Sequence, residues 1–213
     1  AFLKAYNLHG KNLARGRVGV IGGGNSAMDA ARAALRQKGV TSVTVFYRRS
    51  ENEMPAYAEE IEAGLAEGVK IVELVAPIAV YSVDGKLTGM QFIRNELGQP
   101  DASGRRRPVA VAGSEFDVEL DTVIVAISES PEPLAIDGVK TTSWNAPVIS
   151  EESFATSRPG VFAGGDAVTG PATVIAAVAA GKNAARMIDR YLAGKLMKDL
   201  PKVKLPTVYI QTL

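Results

Sequence analysis

The chain has 213 residues, of which 46% are hydrophobic and 22% charged, with a formal net charge of +1. It is long enough to bury a core in one large domain or two small ones, and its near-neutral balance creates no global field for nucleic acid or a membrane surface. It has no cysteine and one histidine, His9, which excludes iron–sulfur clusters on its own thiolates, cysteine zinc sites and dithiol exchange.

Residues 1–16 are weakly patterned and read as a lead-in segment; His9 falls in it with no motif around it and reads as a surface residue. Residues 17–21 are short, apolar and rich in branched side chains, as a buried strand should be. Gly22, Gly23 and Gly24 close that strand. Residues 26–38 put Ala and Met on one face and Asp29, Arg32, Arg36 and Lys38 on the other, predicting a helix that stops at Gly39. Residues 42–47 predict a second strand, so strand, helix and strand form a βαβ unit with a parallel sheet.

Pro55 is placed to open a helix whose early half carries Glu59, Glu60 and Glu62. Gly68 ends it, and residues 70–74 read as a third strand. The pattern then changes: residues 80–83, a turn at Asp84-Gly85 and residues 87–93 predict a β-hairpin. Residues 99–107, including Arg105, Arg106 and Arg107, read as a polar, solvated loop, and residues 116–120 and 122–127 resume strand character. Pro131 and Pro133 mark a boundary. Beyond it, residues 160–166 read as a strand running into a tight turn, and residues 174–192 as a long Ala-rich helix. No apolar run approaches membrane-span length and no secretory signal pattern opens the chain, so the cytoplasm is the expected compartment. The first residue is Ala1, which fits a processed, trimmed or excerpted chain.

The motif with chemical content is Gly22-Gly23-Gly24-Asn25-Ser26-Ala27, a GxGxxA arrangement. It follows a strand, opens a helix and sits inside a βαβ unit, which is the context a dinucleotide cradle requires. Gly22 permits the tight turn, Gly24 lets the backbone approach a pyrophosphate, and Ala27 allows close packing of helix on strand. The free amides and positive dipole end of the helix then face the phosphates. About 20 residues further on, such a unit places Asp or Glu on the ribose hydroxyls when the ligand is NAD. Here the second strand ends Tyr47-Arg48-Arg49-Ser50. A guanidinium grips a 2′-phosphate where a carboxylate would repel it, so Arg48 and Arg49, with Ser50 as an extra donor, favour NADPH over NADH. The competing reading of the two arginines is a solvated strand end.

Residues 20–32, the Tyr47-Arg48-Arg49-Ser50 stretch and Glu53-Met54-Pro55-Ala56 resemble the small (beta) subunit of NADPH-dependent glutamate synthase and its relatives. The resemblance runs over nearly the whole chain and is strongest over residues 17–68 and 160–185. It implies an α/β fold of two dinucleotide-binding domains, with the NADPH domain inserted in an FAD domain. Residues 1–130 would be the Rossmann-like NADPH-binding domain, with a β-meander and a short lead-in. Residues 131–213 would be the C-terminal portion of the FAD-binding domain.

The same resemblance implies that Gly165 and Asp166 meet the ribityl chain of FAD and that Thr173 and Val174 open a helix directed at the isoalloxazine. It also implies a cofactor contact at Ile127. Two departures accompany it. Ser128 stands where the family has a glycine, and only one glycine cradle occurs, so the N-terminal FAD half is missing and the chain is expected to be a fragment or one piece of a split enzyme.

The implied activity is hydride transfer from NADPH to FAD, with electrons passing on to a partner that carries iron–sulfur clusters or is an amidotransferase-type large subunit. No catalytic side chain and no metal ligand is needed for the hydride step. The alternative is a non-catalytic NADPH-binding or scaffold module. The absence of a cysteine pair argues against a thioredoxin reductase, and the absence of a Tyr-x-x-x-Lys pair against a short-chain dehydrogenase.

Overall fold

The computed structural model describes residues 2–100, 104–127 and 136–198. The chain divides into two compact units, Ala1–Ser128 and Glu129–Leu213. Pro131, Pro133 and Ser128 lie outside the described residues.

The first unit is built on a parallel sheet with strand order β3-β2-β1-β8. Its strands are β1 (Gly16–Ile21), β2 (Val40–Phe46), β3 (Lys70–Val72) and β8 (Thr122–Val125). Val20 faces Val45 on one side and Ile124 on the other. Branched side chains at Val18, Val20, Val43 and Val45 are fully buried, as the centre of a covered parallel sheet requires. Helix α2 (Asn25–Leu35) covers this sheet with Ala27, Met28, Ala30, Ala31 and Ala34, a stripe at helical spacing. Helix α3 (Ala58–Ala66) comes close to α2 because Gly64 leaves room for the end of the Met28 side chain. Arg32 ties the two helices on their outer side through Glu60 at 2.6 Å and Glu67 at 2.7 Å.

The second sheet is the meander. Strands β4 (Val75–Val83), β5 (Lys86–Pro100) and β6 (Arg106–Ala110) lie in that order, and β7 (Phe116–Glu119) pairs with β5. Asp84 and Gly85 form the two-residue turn between β4 and β5 that the sequence predicts. The two sheets meet where Phe46 of β2 stacks on the fully buried Phe92 of β5, with ring centroids 4.3 Å apart.

Several local expectations are corrected. Within the lead-in, Phe2–His9 forms helix α1, whose Phe2 and Leu3 pack on the first core. The segment after α1 is pinned by Gln37, whose buried Oε1 accepts from the amides of Leu13 (2.7 Å) and Ala14 (2.8 Å). Pro55 does not open a helix: α3 begins three residues later, because Ala56 donates instead to the Gly23 carbonyl at 3.1 Å. The stretch expected as a loop at residues 99–107 is strand at both ends: Gln99 and Pro100 belong to β5, and Arg106 and Arg107 to β6, because cross-strand pairing overrides the polar composition there.

In the second unit, α4 (Asp166–Thr169) and α5 (Val174–Leu192) follow one another. The Ala-rich helix spans the range the sequence predicts. Residues 160–166 do not form a strand. Phe162 makes one isolated bridge to Ala155, and a ladder needs consecutive partners, which the described residues of this unit do not supply. Phe162 instead meets Tyr191 of α5 edge to face at 5.5 Å.

Candidate dinucleotide site

The chain leaves β1 toward β2 and β3 on one side, and β8 returns on the other. The crevice at the carboxyl end of β1 is therefore the switch point of the sheet, where open α/β folds place their ligands. Ile21 pairs with both Phe46 and Val125, so the ends of β1, β2 and β8 are level. The glycine turn, the Arg48-Arg49-Ser50 turn and Ile127 thus all emerge at one edge of the first unit.

Each residue of the turn has a distinct task. Gly22, at φ 149°, presses on the carbonyl of Ala126 at the end of β8, and a Cβ would collide with that backbone. A Cβ on Gly23 would lie 2.5 Å from the ring carbons Cδ2 and Cε2 of Tyr47. Gly24 is different: its Cβ position has nothing nearer than Pro55 Cγ at 3.9 Å, so a ligand has access to its backbone. Gly24 is also the residue before α2, and its carbonyl accepts from Ala27 (2.9 Å) and Met28 (3.2 Å). The amides of Asn25 and Ser26 belong to the first turn, where helical geometry supplies no partner. Ser26 is exposed, whereas Ala27 is fully buried against the sheet. An anion above Gly24 would meet open backbone and the positive end of an 11-residue helix.

A short segment locks this turn. Ser50 precedes a 3₁₀ turn (Glu51–Glu53), and the chain then lies across the glycines. The Tyr57 amide donates to Asn25 Oδ1 at 2.9 Å. The Tyr47 hydroxyl donates to the Glu53 carbonyl at 2.9 Å. Met54 and Ala56 are buried in the same core as Ala27 and Tyr47. Sequence reasoning missed this strap. Its signal was present in Met54-Pro55-Ala56, two apolar residues around a proline in an otherwise acidic stretch.

The two arginines separate. Arg48 is exposed. Arg49 is 4% exposed, and its Nε donates to the carbonyl of Arg106 on β6 at 2.7 Å. The Ser50 hydroxyl, half-buried, donates to Glu53 Oε2 at 3.1 Å. Ile127 lies just past β8 with 63% of its surface exposed.

In the second unit, Gly165 has φ 66° and ψ −153° and opens α4, beginning with the exposed Asp166. Thr173 precedes α5, and its Oγ1 accepts from the Ala176 amide at 3.2 Å. Val174, the first residue of that 19-residue helix, is 80% exposed. Gly165, Asp166, Thr173 and Val174 thus frame two successive helix starts within this unit. Among the described residues, no group of acidic or histidine side chains is arranged to hold a metal ion.

A family model described as pyridine nucleotide-disulphide oxidoreductase matches residues 3–181. The NADP(+)-dependent formate dehydrogenase subunit beta of Moorella thermoacetica is 47% identical over 193 residues, covering 90% of this chain and 27% of the relative. The glutamate synthase [NADPH] small chain of Escherichia coli (strain K12) is 43% identical over 183 residues, covering 83% of this chain and 39% of the relative. The chain therefore spans well under half the length of these relatives. Among solved structures, Mycobacterium tuberculosis FprA in complex with NADPH has a TM-score of 0.66 at 19% identity, covering 90% of this chain and 56% of that one. That likeness concerns the fold.

Proposed function

This chain belongs to the pyridine nucleotide-disulphide oxidoreductase family, and we propose that its first unit binds NADPH for hydride transfer to FAD, with electrons passing on to an iron–sulfur or amidotransferase-type partner subunit. The observation that carries the proposal is the exposed Arg48 just past the carboxyl end of β2, at the same edge of the first unit as the open Gly24. A carboxylate at that place would select NADH.

Gly22, Gly23 and Gly24 shape the turn that receives the pyrophosphate, the Asn25 and Ser26 amides face it, and Ala27 holds the helix against the sheet. Arg48 contacts the 2′-phosphate, with Arg49 and Ser50 completing the turn that presents it, and Ile127 borders the same crevice. In the second unit, Asp166 accepts from ribityl hydroxyls of FAD, Gly165 allows the close approach, and the start of α5 at Thr173 and Val174 stabilises negative charge on the flavin. The two cofactors supply the redox chemistry, hydride donation and acceptance; the protein contributes position and electrostatics. The disulphide of the family's description has no counterpart here, because the chain has no cysteine.

Both relatives carry NADP or NADPH in their names and are described as a subunit or a small chain, which supports the coenzyme choice and a larger assembly. Among the described residues, no helix is long and apolar enough to cross a membrane, and the cytoplasm is the compartment proposed. The test is a titration of the protein with NADPH and with NADH in one buffer at one salt concentration. NADPH is expected to bind at least tenfold more tightly, since one charge-assisted clamp contributes roughly 1.5–3 kcal/mol. Equal affinities would overturn the coenzyme assignment.

A further inference from the structure

The strand end that carries Arg48 is also bonded to the meander and to Leu74, the residue that leads into it. The Val75 amide donates to the Tyr47 carbonyl at 3.0 Å, and the Leu74 amide to the Arg49 carbonyl at 3.0 Å. Between them, Nδ2 of Asn95 donates to the Arg48 carbonyl at 3.0 Å. Asn95 is 6% exposed and lies on β5, paired with Ala110 of β6. Its own amide donates to the Leu74 carbonyl at 2.7 Å. Leu74 has φ 57°, a left-handed conformation that a leucine keeps only when its surroundings hold it there. Here it is held from both sides, by the Arg49 carbonyl and by Asn95.

We infer that Asn95 is a positioning residue for coenzyme selectivity: through the Arg48 carbonyl it orients the peptide from which the exposed Arg48 guanidinium extends. The inference rests on the proposed role of Arg48. Its physical basis is that a bare strand end leaves its last carbonyls to water and its side chains free to swing. In this protein all three carbonyls from Tyr47 to Arg49 are engaged, by Val75 and Asn95 of the meander and by Leu74, the residue that leads into it. A side chain that must meet one phosphate gains from a fixed origin, because less freedom is lost on binding. A buried carboxamide is also costly unless its donors are used, and one of them is used on Arg48 itself. The meander, which is no part of a minimal βαβ unit, thereby becomes part of the selectivity apparatus.

The experiment is a double-mutant cycle on the whole protein, with the ratio of NADPH to NADH affinity as the readout and thermal denaturation alongside. The variants are Arg48→Ala, Asn95→Ala and the double substitution. Asn95→Ser takes the place of alanine if the alanine variant does not fold. Arg48→Ala is expected to collapse the ratio. Asn95→Ala is expected to lower it by about three- to tenfold, the worth of one hydrogen bond, while NADH binding is retained. In the Arg48→Ala background, the Asn95 substitution is expected to leave the ratio unmoved. A ratio insensitive to Arg48→Ala would overturn the proposed function itself. A ratio that responds to Arg48 but not to Asn95, or an equal loss of both coenzymes on changing Asn95, would overturn only the positioning role.

Discussion

The ring of Tyr47 occupies the space that a side chain on Gly23 would need, 2.5 Å from the Cβ position. The residue that follows the second strand therefore dictates the middle glycine of the turn after the first. The ring cannot retreat easily, because it is 6% exposed and its hydroxyl is bonded to the Glu53 carbonyl.

Gly23→Ala and Gly24→Ala should consequently behave in opposite ways. Gly23→Ala is an overpacking substitution and is expected to destabilise the protein by about 1–3 kcal/mol. Gly24→Ala adds a methyl group to open space and is expected to change stability by no more than about 1 kcal/mol. It should instead weaken NADPH and NADH alike, since that methyl stands where the pyrophosphate approaches. Denaturant unfolding paired with coenzyme titration checks both, and a Gly24→Ala variant with undiminished binding would remove the cradle from the coenzyme site.

The two arginines of the strand end are expected to fail differently. Arg48→Ala should reduce NADPH affinity by about tenfold or more and leave NADH affinity and stability nearly unchanged. Arg49→Ala removes a guanidinium that is 4% exposed and bonded to the Arg106 carbonyl. It should lower stability measurably, with coenzyme loss following the displaced turn. Thermal denaturation of each variant, read beside the two titrations, separates these outcomes.

Acid should weaken the first unit through Asp121. Hydrogen bonds from the Arg17 side chain and then from its backbone amide hold the Asp121 carboxyl below the usual carboxylate range. Those bonds tie the start of β1 to the approach of β8. A depressed carboxyl contributes stability that is complete above its unfolded value, near pH 4, and is lost as pH falls through the lower folded value. The melting temperature is therefore expected to drop as the pH falls below about 4. Asp121→Asn should lower it at neutral pH and make the acid limb shallower. Glu67, held down first by Arg32 and also by Arg36, acts in the same direction and keeps the limb from disappearing.

Gly165→Ala should strain the second unit. The backbone there, φ 66° and ψ −153°, belongs to a region that side chains avoid, and the cost is expected to be about 1–3 kcal/mol. A loss of FAD binding larger than the loss of stability, read from the flavin absorbance, would fit the proposed flavin contact at Asp166. Unchanged flavin content in a folded variant would count against it.

The sequence by itself determined the βαβ unit, the GxGxxA turn, the hairpin at Asp84-Gly85 and the helix over residues 174–192. Each rests on periodicity or turn chemistry contained in a few neighbouring residues. Only the tertiary structure decided that α1 forms in the lead-in, that β5 continues to Pro100, and that residues 160–166 remain without a ladder. Those outcomes depend on partners the local pattern does not name. The same holds at the strand end. Arg48 and Arg49 are chemically identical and adjacent in the chain. One is exposed and the other buried because a carbonyl 57 residues away on β6 accepts from Arg49, while a carboxamide on β5 holds the peptide of Arg48.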